Sequence, residues 1–363
     1  MLIIKNIFLF VLLLTLIVSI HEFGHLIAAK IFGVFCKEYS IGMGPKLFSI
    51  KGKETEYCLR AFPIGGFVAM AGDTDNSLET KVDTTDIPFE RTLPGIAPWK
   101  RIIVMLAGIF MNMILAIVIY SMIILNNGTY VTSSKPEISY IQENSPAMSA
   151  GLKQGDIVTT ISFENGLSLS PSSYSELITF TSAYDGNGPW TLIVDRDGQS
   201  LQIEVTPKFD EVEKRYLIGI GFSDKAVEYV KVNFFNCFKY GFEYAMFILK
   251  LTWSSFISLF RGQNLQNLSG PVGIYNTVSE VAAQGLDYYI QLIAMISINV
   301  GVVNALPLPI FDGGRVLLLL IEMIIRKPLS QKAQNFIMSL SAALLLLLFI
   351  YVTFNDITRL IGG

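Results

Sequence analysis

Two histidines occur in 363 residues, His21 and His25, and Glu22 stands between them. The stretch reads H-E-F-G-H. Positions i and i+4 of a helix lie one above the other on one face. Both imidazoles therefore address a common point, as two ligands of one metal ion must. Glu22 sits one residue further round, within reach of a water at that point, where a carboxylate serves as general base. The chemistry on offer is zinc-assisted hydrolysis. The motif also follows an uncharged apolar run, residues 6–20. An ionisable group at the centre of a bilayer costs about 2.5–3.5 kcal/mol on insertion scales. Three side by side at the end of such a run imply a use.

The elements that must position them are membrane helices. The chain is 52% hydrophobic and 16% charged, against about 25% charged residues in an average soluble protein. That composition indicates a membrane protein with enough polar sequence left for one soluble domain. The net charge of −3 gives no reason to expect a nucleic-acid partner. Cys36, Cys58 and Cys237 are too far apart for a C-x-x-C pair and read as free thiols. Four segments reach the ~20 residues a spanning helix needs: 6–29, 102–125, 288–311 and 333–354. A cleaved signal peptide is the rival reading of the first. Against it, the apolar run resumes after the motif, and cleavage would discard the motif.

Lysine and arginine near the span ends set the orientation. The 30–101 connection holds ten of them, and 312–332 holds Arg315, Arg326, Lys327 and Lys332. These two connections are expected to face the cytoplasm, with both termini and 126–287 outside. His21 then lies ~24 Å along a helix starting near Lys5, toward the cytoplasmic side of the hydrocarbon.

Between spans one and two, residues 57–72 mix β-formers with Gly65-Gly66 and Pro63. The expectation is two short strands around a turn, one of them an edge. Gly66, Phe67, Val68, Ala69 and Met70 would then offer an edge near the metal to an extended peptide; an ordinary hairpin is the plainer reading. Residues 136–208 have soluble character. A strand is expected over 137–142, a helix over 174–183, and strands at 190–195 and 201–206 joined by a hairpin turn at 196–199. The pattern P-A…A-G-L…G-D-I-V resembles a PDZ domain, which implies a peptide groove; a mere spacer is the alternative. Residues 232–260 carry Lys239, Glu243 and Lys250 among aromatics and read as an interfacial amphipathic helix rather than a fifth span. Residues 267–273 read as a turn-rich connector.

Catalytic zinc takes three protein ligands as a rule and leaves a fourth position open. With no histidine left, the third must be an oxygen. Span three ends in Asn304, Pro307, Pro309 and Asp312-Gly313-Gly314. Its prolines break a helix at membrane depth, tolerated beside protein or a polar cavity. Asp312 falls at the depth of the histidines. It could instead cap a following helix over 315–325, and Glu322 is the alternative acid. A metal transporter would need polar residues along several spans, and spans two and four offer few, Asn112 among them. A scaffold with structural zinc would need a fourth ligand, and none is evident.

Taken together, H-E-F-G-H, G-G-F-V-A-M-A-G, the PDZ-like insert, N-L-S-G-P-V-G and N-x-x-P-x-P-x-x-D-G-G resemble the site-2 protease family of intramembrane zinc metalloproteases. The nearest likeness is to the bacterial branch that cleaves anti-sigma factors and remnant signal peptides. The resemblance implies that His21, His25 and Asp312 bind Zn2+ and that Glu22 is the catalytic acid/base. It also implies that Asn304, Pro307 and Pro309 help hold substrate. Two departures stand out: Phe311 replaces the usual leucine before Asp-Gly, and one PDZ-like unit fits where some relatives carry two. The expected protein is a multi-pass α-helical membrane protein with four transmembrane helices, a membrane-associated β-hairpin region and an inserted small β-rich PDZ-like domain. Residues 1–125 and 288–363 form the two halves of the protease core, 136–208 the PDZ-like domain and 209–287 a linker with the interfacial helix. Its partners are single-pass membrane proteins or signal-peptide remnants and the lipid bilayer of the cell membrane.

Overall fold

The computed structural model describes residues 2–73, 82–133, 136–171, 174–181, 184, 186, 188–211, 215–222, 227–260, 270–327 and 329–362. They form two compact units, residues 1–120 with 268–363, and residues 121–267.

The first unit opens with α1 (Leu2–Ile31), β1 (Cys36–Lys51), β2 (Glu56–Met70) and α2 (Pro98–Asn127), whose last turns pass into the second unit. The second unit holds β3 (Thr129–Ser133), β4 (Ile138–Ile141), α3 (Pro146–Ser149), β5 (Ile157–Phe163), β6 (Ser168–Leu169), α4 (Tyr174–Thr181), β7 (Trp190–Arg196) and β8 (Gln199–Val205). It continues through β9 (Lys208–Asp210), β10 (Arg215–Leu217), β11 (Ile220–Phe222), β12 (Val227–Lys231) and α5 (Cys237–Phe260). The chain returns to the first unit as α6 (Pro271–Gln284), α7 (Leu286–Asn304), α8 (Asp312–Ile325) and α9 (Gln331–Gly362).

Among the described residues, four helical stretches are long and apolar enough to cross a membrane: Ile3–Ile31, Pro98–Asn127, Leu286–Asn304 and Lys332–Thr358. The third expected span is corrected at its end. Its helix stops at Asn304 rather than running to 311, because Pro307 and Pro309 cannot supply the N–H groups another turn needs. The α5 helix, with its three charges, is not among the four. The connector expected over 267–273 is also revised where it can be seen; 267–269 lie outside the described residues. Pro271 opens α6, its fixed φ suiting a first helical position. Asp356 Oδ2 accepts from the Gly273 N–H at 2.8 Å.

Three helices are fastened in a ring. A Cβ built on Gly24 of α1 would lie 2.4 Å from the Ala107 carbonyl oxygen of α2, so the backbones cross in direct contact. Ser297 Oγ of α7 donates to the Asn112 carbonyl of α2 at 2.9 Å. Tyr289 OH of α7 donates to the Leu9 carbonyl of α1 at 2.8 Å.

The sheet differs from expectation. Residues 57–72 are not two strands around a turn; Glu56–Met70 is one long strand, and its partner β1 was not foreseen. Gly42, Gly44 and Pro45 make β1 read as broken. The backbone absorbs them in a bend, with φ of +85° at Gly42 and +82° at Gly44. Both strands bend, so two strands make four rows. Residues 36–41 run antiparallel to 66–70, with Ile41 opposite Gly66 and Ser40 opposite Phe67. On their other side 38–41 face 56–59, both numbers rising together. Residues 56–60 in turn pair with 46–51. Among the described residues, 66–70 therefore forms an outer row. The sheet lies on α1, where Tyr39 OH donates to the Ser19 carbonyl at 2.8 Å. Val68 and Met70 join Leu26, Val34 and Val104 in the core beneath it.

In the second unit a four-stranded sheet runs β6-β5-β7-β8. The expected turn between β7 and β8 is a two-residue loop with both φ positive, Asp197 at 53° and Gly198 at 82°, the type I′ pattern. The helix expected over 174–183 is described to Thr181, and 182–183 lie outside the described residues. Ile161, Leu192, Val194 and Phe180 fill the core. Asp156, fully buried, receives the Arg196 guanidinium at 2.6 and 2.7 Å and the Lys153 N–H at 2.8 Å. Burial alone would raise its pKa; these donors outweigh burial and hold it below the ordinary value. A depressed folded pKa means the carboxylate's contribution is complete above the ordinary value of about 3.9 and is lost as pH falls through the lowered one. Asp156→Asn is expected to destabilise this unit by about 1.5–3 kcal/mol near neutral pH and to flatten its acid sensitivity. Hydrogen exchange of the β5 and β7 amides across pH 3–7 measures both.

Candidate active site

The α1 motif helix carries His21 and His25 to a place where each residue is 7% exposed. Their Nε2 atoms stand 3.2 Å apart. Asp312, also 7% exposed, comes from the start of α8, with Oδ2 3.1 Å from His21 Nε2 and 3.3 Å from His25 Nε2. Glu322 does not approach; its Oε1 accepts from Leu329 N–H at 2.8 Å and from the Gln334 amide at 3.2 Å.

The alternative reading of Asp312, as a cap, does not hold. It is not a loop residue ahead of a helix over 315–325: α8 begins at Asp312 itself, with Phe311 as its N-cap. Gly313 and Gly314 make this possible. The loop after α7 folds back across the helix start, and a Cβ on Gly313 would lie 2.2 Å from the Ala305 oxygen. One on Gly314 would lie 2.1 Å from the Leu308 carbonyl. Arg315, in the same turn, donates to Asp73 Oδ1 at 2.7 Å and ties α8 to the end of β2.

The donor set suits zinc. His25 Nδ1 lies 2.8 Å from the Val104 carbonyl, so that nitrogen carries the proton and Nε2 presents its lone pair. His21 Nδ1 lies 3.4 Å from the buried Asn112 amide. Asn112 Oδ1 has no partner, and turning the amide presents it to an Nδ1–H. Asp312 Oδ2 is likewise buried without a hydrogen bond. Two buried imidazole nitrogens and a buried carboxylate oxygen meeting at one point make a ligand set for a cation. Their separations are close to the ~3.3 Å edge of a tetrahedron with zinc-ligand bonds of about 2.0–2.1 Å.

Glu22, one residue further round α1, lies beside the sheet: its Cγ would lie 3.4 Å from a Cβ on Gly66. Gly66 and Phe67 are half-buried, while Val68, Ala69 and Met70 are buried. Asn304 closes α7, half-buried; Pro307 and Pro309 lie in the loop between α7 and Asp312.

Sequence reasoning missed Gly108. A Cβ there would sit 2.6 Å from both His21 Cε1 and His25 Nε2, so α2 supplies a bare backbone wall to the imidazoles. No spacing signals this; it depends on which face of α2 meets α1. Asn112 was visible only as an isolated polar residue in an apolar run. Gly108→Ala is expected to displace both rings and to weaken zinc retention by at least the ~10–100-fold typical of disturbed ligand support. Zinc content after dialysis against graded chelator reads this out.

The Peptidase family M50 model matches residues 9–348. The Regulator of sigma-W protease RasP of Bacillus subtilis is 32% identical, covering 97% of this chain and 98% of the relative. The zinc metalloprotease RasP of Bacillus licheniformis is 31% identical, covering 97% and 98%. A match of this extent makes the chain a zinc metalloprotease of the membrane, and its place is in peptidase family M50.

Proposed function

We propose that this protein hydrolyses peptide bonds within or near the transmembrane segment of single-pass membrane proteins, with His21, His25 and Asp312 as zinc ligands and Glu22 as general acid/base. The observation that carries this reading is the convergence of two imidazole nitrogens and a carboxylate oxygen at 3.1–3.3 Å, the histidines on a helix of membrane-spanning length, beside an outer row of sheet. Zinc, when bound, supplies Lewis acidity toward a carbonyl and brings a water pKa toward about 7. Glu22 takes the proton of the attacking water and passes it to the leaving amine. Val104 and Asn112 hold the imidazole orientation.

A transmembrane helix hides its carbonyls in i→i−4 bonds, so the substrate must unwind before it is cut. Residues 66–70 offer the freed backbone a partner by strand addition. The Asn304 amide, with the bend at Pro307 and Pro309, serves the other side. The charge distribution supports a cytoplasmic-side active centre, with both termini and the 136–208 domain outside. The β6-β5-β7-β8 sheet, α4 and a cavity of about 90 Å³ lined by Leu177, Trp190 and Tyr216 support the PDZ-like reading of that domain. The Bacillus subtilis relative is named as a regulator of sigma-W, which accords with anti-sigma factors as one substrate class; remnant signal peptides are the other proposed.

In proteoliposomes holding the purified protein and a single-pass reporter, chelation is expected to stop product release and zinc to restore it. Release that is indifferent to chelator removes the proposal.

A further inference from the structure

Glu38 is 1% exposed in the central row of the sheet. Its Oε1 receives Arg60 Nε at 3.1 Å and Nη2 at 2.8 Å, and its Oε2 receives Lys46 Nζ at 2.9 Å. Lys46 also reaches Glu56 at 2.7 Å. Glu38, Glu56 and Cys58 together have the spacing of a metal site. Yet both carboxylates are already matched by cations, so the cluster is an ion network and not a second metal centre.

Arg60 is the hub. Besides Glu38 it donates to the Gly44 carbonyl, inside the bend of β1. Its guanidinium also stacks 5.1 Å from the centre of the Phe67 ring, in the outer row. One side chain thus joins the central row, the bend of one strand and the outer row of the other. A buried ion pair adds little net stability, because desolvation offsets its attraction; its best-attested use is to fix register. Register needs fixing here. The sheet is interrupted by Gly42, Gly44 and Gly65, all at positive φ, and glycine-rich strands slip.

We infer that Arg60, held by Glu38 and Lys46, is a positioning residue that sets the register of the 66–70 row against Glu22, and through it which peptide bond of the substrate is cut. This rests on the strand-addition reading above. Gly66 abuts Glu22, so a shift of this row along α1 moves every substrate residue paired to it past the catalytic carboxylate. Side chains alternate between faces with period two. A loosened row therefore gives products displaced by two residues, since a slip of one would turn each side chain to the wrong face.

The test is mass spectrometry of product ends from a single-pass reporter in proteoliposomes, for wild type, Arg60→Met, Arg60→Lys and Phe67→Leu. Wild type is expected to give one dominant end. Arg60→Met is expected to keep its zinc, lower kcat/KM roughly tenfold and add ends displaced by two residues. Arg60→Lys keeps charge but not the planar fork, and restores the single end only in part. If Arg60→Met does not fold, judged by zinc content and elution volume, Phe67→Leu decides the matter: it keeps the ion pair, removes the stacked ring and gives the second product. One unchanged end in every folded variant overturns the register assignment and leaves the protease reading standing. A wild type that retains zinc and cuts no reporter overturns both.

Discussion

Glu22→Gln is expected to leave zinc bound and to abolish cleavage. Glutamine keeps the shape of the side chain and its place beside Gly66, but it cannot accept a proton at neutral pH. The three donors do not include Glu22, so the metal has no reason to leave. General acid–base groups contribute about 10²–10⁴-fold. In the proposed mechanism one carboxylate serves both proton transfers, so the loss is expected at or beyond the upper end. Zinc per protein and reporter cleavage, measured on the same preparation, separate the two effects. Cleavage at the wild-type rate would remove Glu22 from the mechanism.

Asp312→Asn is expected to act in the opposite order, losing the metal first and activity as a consequence. The amide carries no charge to offset the cation, and its NH₂ group in place of Oδ2 would aim donors at two imidazole lone pairs 3.1 and 3.3 Å away. With Asp312 as the proposed third ligand, the loss should exceed the ~10–100-fold cost of disturbing ligand support. Chelator titration gives the affinity, and excess zinc should restore part of the activity. A variant that held zinc as tightly as wild type would show that another group completes the shell.

The parts of this site that spacing encodes were legible in advance. Two histidines four apart announce a helix face, and prolines at 307 and 309 announce a broken span end. The expected turn at 196–199 carried its own chemistry in Asp197 and Gly198. What was not legible depends on tertiary approach. Gly108 and Gly24 matter because two helices cross at those points, and a glycine in an apolar run does not say what it faces. The partner of β2 was hidden because Gly42, Gly44 and Pro45 are breakers by local rule, while the sheet uses them to turn one strand into two rows. Asp312 was expected at the end of the third span, and it opens α8 instead, 3.1 and 3.3 Å from the two imidazoles. Nothing local shows that Gly313 and Gly314 let the chain double back over a helix start.

The ring of α1, α2 and α7 has a consequence for how a substrate gets in. Backbone contact at Gly24, Ser297 on the Asn112 carbonyl and Tyr289 on the Leu9 carbonyl bolt its three sides together. Prising any two helices apart would strand polar groups in oil and pull the imidazoles off their supports. Substrate entry by parting α1, α2 and α7 is therefore disfavoured. A cross-link between α1 and α7 is accordingly expected to leave both cleavage and zinc content unchanged.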